Sequence, residues 1–214
     1  MAQSVKKLML FTLSACPMGR SMNTVIRELV TRRKELVHEV VYVDVDHETT
    51  NRYRIKTNPT TLFLDGGGAE LYRLEGFRET EEVWNLLRRI EEGALRSEPP
   101  REENRETAET YTIYLYQNGR AVPVETMVIN KTSVKAPRIT AIRQLLRTRP
   151  EGYDNSFPPD ASLERVSFHG NSCVVTLRSA AERSGEETDR MKILLAQTLA
   201  VYGISDIRLE WVND

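Results

Sequence analysis

Leu8-Met9-Leu10-Phe11-Thr12-Leu13 runs almost directly into Cys16-Pro17-Met18-Gly19. An apolar run of that length is what a strand covered on both faces requires. After the cysteine, Val25, Ile26, Leu29 and Val30 recur at helical spacing, with Arg27, Glu28, Arg32 and Arg33 on the opposite side. Strand, turn and helix therefore place Cys16 where a helix begins. Unpaired N–H groups and the positive end of the helix dipole favour a thiolate there, and Arg20 stands one turn further on. Only one thiol is present, because Gly19 occupies the place where a second cysteine would complete a dithiol turn. A single thiol can attack a disulfide or accept a low-molecular-weight thiol, but a thiol from another molecule must then resolve the mixed disulfide.

Outward from this turn, Val40-Val41-Tyr42-Val43-Asp44-Val45 reads as a second buried strand and Asp46 to Lys56 as a short helix. Thr60-Thr61-Leu62-Phe63-Leu64 is a third strand, Asp65-Gly66-Gly67-Gly68 a hairpin turn, and Glu70-Leu71-Tyr72-Arg73-Leu74 the returning strand. Thr80 is expected to cap a helix carrying Val83, Trp84, Leu87 and Ile90 on one face. The expected order is β-α-β-α-β-β-α. The three glycines do not form a phosphate loop, since no Lys-Ser/Thr follows and strands rather than a helix flank them. His38 and His47 flank the second strand and are expected to face solvent.

This order resembles the thioredoxin family over roughly Lys7 to Glu92. The resemblance rests on the strand-turn-helix around Cys16, on Ile55-Lys56-Thr57-Asn58-Pro59-Thr60 before an apolar strand, and on the Gly-rich hairpin followed by Leu74-Glu75-Gly76-Phe77. It implies that Pro59 is a cis proline beside the active-site sulfur. It also implies that backbone groups around Asn58, Pro59 and Thr60 bind an extended peptide, with Pro17, Met18, Gly19 and Arg20 on the same face. Where the redox members of the family carry Cys-x-x-Cys, this chain has Cys-Pro-Met-Gly. That excludes an ordinary dithiol reductase unless a distant thiol substitutes. Cys173 lies in the strand-like run Cys173-Val174-Val175-Thr176-Leu177 and reads as a core residue.

The 214 residues suffice for one large domain or two modest ones, and 40% hydrophobic with 29% charged residues is ordinary for a soluble globular protein. A net charge of -1 supplies no field for a polyanion, so nucleic acid is not an expected partner. No run is long enough to span a bilayer. Lys6-Lys7 before the apolar run, with Leu13-Ser14-Ala15-Cys16 spelling a lipidation box, gives an exported lipoprotein as the alternative to a cytoplasmic protein. The short run reads better as a strand, and the cytoplasm is the expected compartment. Two distant cysteines and three unclustered histidines give no metal site, and no cofactor is expected.

Between Arg96 and Glu109 the chain carries Pro99-Pro100 and dense charge but no large apolar residue, the composition of an exposed tether. Domains are therefore expected at 1–95 and 110–214, joined by a charged linker at 96–109. In the second, Tyr111, Ile113 and Leu115 alternate with Thr112, Tyr114 and Tyr116, and Asn118-Gly119 turns into Val122 to Ile129. Ile139, Ile142, Leu145 and Leu146 mark a helix ending near Arg149-Pro150. Leu163 to His169 and Ser172 to Leu177 form a second hairpin through Gly170-Asn171. Met191, Leu194, Leu195, Thr198 and Leu199 mark a last helix, and Ile204 to Val212 a last strand. Glu182, Glu186, Glu187 and Asp189 read as a solvated loop and helix start.

The order β-β-α-β-β-α-β, with Gly170-Asn171 before a Val-rich strand and Gln197-Thr198-Leu199 before Gly203-Ile204, resembles the GerMN domain of sporulation and germination proteins over roughly Thr110 to Asp214. That family has no established catalytic residues to carry over, and its members are generally exported. The fold class is thus α/β followed by α+β, a thioredoxin-like domain and a GerMN-like mixed sheet-and-helix domain. The functional expectation is a binding or assembly protein related to sporulation or germination. It would hold a protein or peptide at the Cys16 and Pro59 face. The alternative is a monothiol thiol-disulfide oxidoreductase using Cys16 and a low-molecular-weight thiol.

Overall fold

The structure is a computed structural model describing residues 4–98, 100–103, 105–182 and 184–212. Met1 to Gln3 of the basic start, Pro99 and Asn104 of the expected linker, Arg183, and Asn213 and Asp214 lie outside the described residues. The chain divides into two compact units, Met1–Thr107 with Lys131–Lys135, and Ala108–Asn130 with Ala136–Asp214. Among the described residues no helix is long and apolar enough to cross a membrane.

The first unit has a thioredoxin-like fold. Its elements are β1 (Lys7–Thr12), α1 (Pro17–Arg32), β2 (Val37–Tyr42), α2 (His47–Arg52), β3 (Thr60–Leu64), β4 (Glu70–Glu75) and α3 (Thr80–Glu91). The sheet order is β2-β1-β3-β4, with β1 parallel to β2 and antiparallel to β3, and β3 antiparallel to β4. The apolar run Leu8 to Thr12 fills an inner strand, as its composition demands. Leu8 and Leu10 join Met22, Val25, Ile26 and Leu29 of α1 and Val83, Leu87 and Ile90 of α3 in one buried cluster. Phe11 meets Tyr53, just beyond α2, with ring centroids 5.6 Å apart.

Three local expectations are corrected. The run Val40 to Val45 is not a buried strand: β2 spans Val37–Tyr42 at the sheet edge, and only Val41 among its residues is buried. The chain leaves the sheet because Val45 N–H and Asp46 N–H both donate to the Tyr42 carbonyl, and Asp46 then caps α2 by accepting from Thr49 N–H at 2.9 Å. Thr80 does not cap α3. Glu79 does, its N–H donating to Glu82 at 3.0 Å, while the Thr80 hydroxyl donates to Glu28 of α1 at 2.6 Å. His38 does not face solvent freely: it is half-buried within β2, and its Nε2 has no hydrogen-bond partner among the described residues.

The glycine hairpin forms as read. Asp65 Oδ1 accepts from Gly67 N–H and Ala69 N–H, both at 2.8 Å, and Gly68 takes φ +83°. At the far side of the sheet, Arg73 of β4 is buried against Glu70, with Nε to Oε1 at 3.0 Å and Nη2 to Oε2 at 2.8 Å. It also donates to the carbonyls of Tyr53 and Arg54 at 2.7 and 3.2 Å. One side chain thus fixes the segment that leads from α2 toward Pro59.

The second unit is α+β and sheet-rich. It carries β5 (Thr107–Gln117), β6 (Arg120–Asn130), α4 (Pro137–Arg147), β7 (Ser162–His169), β8 (Ser172–Arg178), α5 (Gly185–Ala200) and β9 (Asp206–Val212). β5 and β6 form a two-stranded ribbon turning at Asn118 and Gly119, at φ +51° and +78°. A separate sheet has the order β7-β8-β9, β8 being antiparallel to β7 and parallel to β9. The apolar positions expected inside are buried: Ile139, Ile142, Leu145 and Leu146 on α4, and Met191, Leu194, Leu195, Thr198 and Leu199 on α5. Thr198 also accepts from Tyr114 N–H at 3.0 Å, tying helix to ribbon.

Candidate functional site

Cys16 is the N-cap of α1, with φ -84° and ψ 118°, and Pro17 opens the helix. Proline is suited to that position because its missing N–H would be unpaired in any case. The turn before it is held on both sides. Cys16 N–H donates to the Leu13 carbonyl at 3.1 Å, and Ser14 gives its N–H and hydroxyl to Asp44 at 3.0 and 2.7 Å.

Asn58 meets this turn from the other direction. The Asn58–Pro59 peptide is cis. The Asn58 side-chain oxygen accepts from Leu13 N–H at 2.9 Å and from the Thr12 hydroxyl at 3.1 Å. With its oxygen so fixed, the amide turns its NH2 onto Cys16 Sγ at 3.4 Å. Pro59 is buried, its carbonyl accepting from Gly76 N–H at 2.8 Å. Asn58's own main-chain N–H and C=O carry no hydrogen bond among the described residues.

The structure therefore brings Cys16, Asn58 and Pro59 together. Met18 is 50% exposed and Pro17 half-buried beside them. Thr60 is withdrawn: it is fully buried in β3 and its hydroxyl donates to the Thr57 carbonyl at 2.7 Å. Arg20 is exposed, and its Nη2 donates to the Ser14 carbonyl at 3.5 Å. Gly19 is buried against Thr12. Thr12 and Asp44 were not legible as site residues. Each only interrupts an apolar run.

Cys173 lies in the central strand β8, paired with Phe168 of β7 and Ile207 of β9. Burial pushes its thiol up to about 12. Both cysteines are free. Elsewhere in the second unit a cleft of about 770 Å³ is lined by Asp154, Glu182, Glu186, Glu187 and Arg190. Its carboxylates are largely committed to structure: Asp154 pairs with Arg190, whose guanidinium lies 4.1 Å from the Tyr116 ring centre, and Glu187 closes the capping box with Ser184. Hydrogen bonds from Ser184 hold the Glu187 carboxyl below its ordinary range. Among the described residues no group of His, Cys, Asp and Glu side chains is placed to hold a metal ion.

No family model matches the chain, and no curated protein matches it. Solved structures similar to it are thioredoxins and a thioredoxin-like protein. The reduced thioredoxin pre-protein of Schistosoma mansoni shares 18% identity at a TM-score of 0.36, over 41% of this chain and 81% of its own. The thioredoxin of Fasciola hepatica shares 22% at 0.35, over 40% and 83%. An uncharacterised thioredoxin-like protein of Clostridium perfringens shares 18% at 0.36, over 41% and 72%.

Proposed function

We propose that the protein binds an extended peptide segment of a partner protein at the face formed by Cys16, Pro17, Met18, Asn58 and Pro59. The observation that carries this reading is the unpartnered backbone of Asn58 beside Pro59 and the Cys16 thiol. A main-chain N–H and C=O without a partner can pair with an extended strand, and the exposed Met18 offers an adaptable apolar contact. The second unit supplies further protein contacts. The resemblance of its sequence to the GerMN domain is the basis on which we assign it an assembly role in sporulation or germination.

A second reading is favoured by the Asn58 amide on Cys16 Sγ. Here the Cys16 thiolate attacks one sulfur of a partner disulfide, that S–S bond breaks, and the other sulfur leaves as a thiolate. An external thiol then attacks the mixed disulfide and releases Cys16. The test is the rate at which the full chain captures cysteine-containing peptides supplied as aryl mixed disulfides. A binding face makes that rate depend on the residues flanking the peptide cysteine, with the adduct on Cys16 and none in Cys16→Ser. Equal rates for all peptides and for the glutathione mixed disulfide would refute the peptide-binding reading, and an absence of adduct would refute the thiol reading.

A further inference from the structure

We infer that Thr12 fills the side-chain space of position 19, so that the fold has no room for a resolving thiol beside Cys16. The inference rests on the thiol reading above. Gly19 lies in the first turn of α1 and is buried. Glycine is a poor helix residue, and Gly19 is not among the glycines with positive φ, so backbone conformation does not call for it. Space does. A Cβ at position 19 would fall 1.7 Å from Thr12 Oγ1, 2.6 Å from Thr12 Cβ and 3.0 Å from Thr12 Cγ2.

Rotating the Thr12 side chain does not relieve this contact, because its Cβ is fixed by the backbone of β1. Nor is the hydroxyl free to move, since it donates to Asn58 Oδ1 at 3.1 Å, and Thr12 is 3% exposed. The resolving position of a dithiol turn is therefore closed by the neighbouring strand as well as emptied of sulfur. The same threonine helps orient Asn58, whose amide donates to Cys16 Sγ. Thr12 thus acts as a positioning residue: it orients Asn58 toward the single thiol and leaves no room for a second one.

The test uses full-length Gly19→Cys, the double variants Thr12→Gly/Gly19→Cys and Thr12→Ala/Gly19→Cys, and wild type, each treated with the aryl disulfide dithiobis-nitrobenzoate. In wild type, Cys16 takes one aryl thiol as a mixed disulfide and releases the other as thiolate. In Thr12→Gly/Gly19→Cys the introduced thiolate attacks the Cys16 sulfur and expels the bound aryl thiolate. The product is an internal disulfide without adduct, read by intact mass and peptide mapping. Gly19→Cys alone is expected to lose its thermal transition or to fold with the adduct retained. Thr12→Ala/Gly19→Cys should resemble it, because alanine keeps the Cβ.

Gly19→Cys that folds with the wild-type Tm and closes the bridge overturns the inference. So does a folded Thr12→Gly/Gly19→Cys that keeps its adduct. A second comparison needs no sulfur chemistry: Gly19→Ala should lower Tm markedly when Thr12 is present and little in a Thr12→Gly background. An equal drop in both backgrounds overturns the inference. If wild-type Cys16 takes no adduct, the thiol reading fails, while the alanine comparison still decides the role of Thr12.

Discussion

Asn58 shows how much a single residue can arrange. Its one oxygen receives two donors from the end of β1 and the turn after it, and this fixes the direction of its NH2 onto sulfur. Nothing in the sequence around Asn58 gives those partners, because they lie 42 to 46 residues away and depend on how the chain bends at Pro59. Cys16 and Pro59 were legible through their setting between apolar runs. His38 was misread for the opposite reason, since a polar residue near the end of a strand gives no sign of a helix covering it. Burial lowers its pKa below the ordinary 6.5, and the positive charge of Arg27 adds to the effect. The unfolded chain therefore binds a proton that the folded chain resists, so stability falls as pH drops through about 6.5 toward the lowered folded value. Urea unfolding at about pH 7.5 and about pH 5.5 should show a smaller loss of stability in His38→Gln than in wild type. Equal losses would show that His38 is not the group responsible.

At the scale of elements, apolar runs and helical spacing carried most of the information. β1 and β3 are inner strands whose residues are nearly all buried, and the buried faces of α1, α3, α4 and α5 fall on the residues that their periodicity selects. Composition cannot tell an edge strand from an inner one: Val37 and Tyr42 of β2 are exposed despite their strong strand preference. The Arg73–Glu70 pair was hidden in a strand read only for alternation. Its side chains are 6% and 8% exposed, so removing the arginine leaves a buried carboxylate and two carbonyls without their partner. Arg73→Met should cost about 3–5 kcal/mol in equilibrium unfolding. Glu70→Gln/Arg73→Met should recover part of that loss, because the uncompensated charge is gone. A loss below about 1 kcal/mol in Arg73→Met would mean that the pair does not brace the segment leading to Pro59.

For the whole molecule, the chain divides into two units that each bury a core, and the first takes in most of the stretch read as a linker, through Thr107, together with Lys131–Lys135. The thioredoxin-like resemblance was carried by a cysteine turn, a proline and a glycine hairpin, which are local and chemically distinctive. The second unit offered only apolar positions and turns, so its element order was legible while its purpose was not. The close approach of α1 to β1 at Gly19 was beyond sequence reasoning, because it depends on the separation of two backbones rather than on any spacing of residue types. The central claim is that the open backbone of Asn58 receives an extended chain. Amide hydrogen exchange at Asn58, measured on the full chain with and without a peptide disulfide-linked to Cys16, tests it most directly. The account predicts that the Asn58 N–H gains protection when the peptide is attached. Unchanged exchange at Asn58 in a fully peptide-linked protein would contradict it.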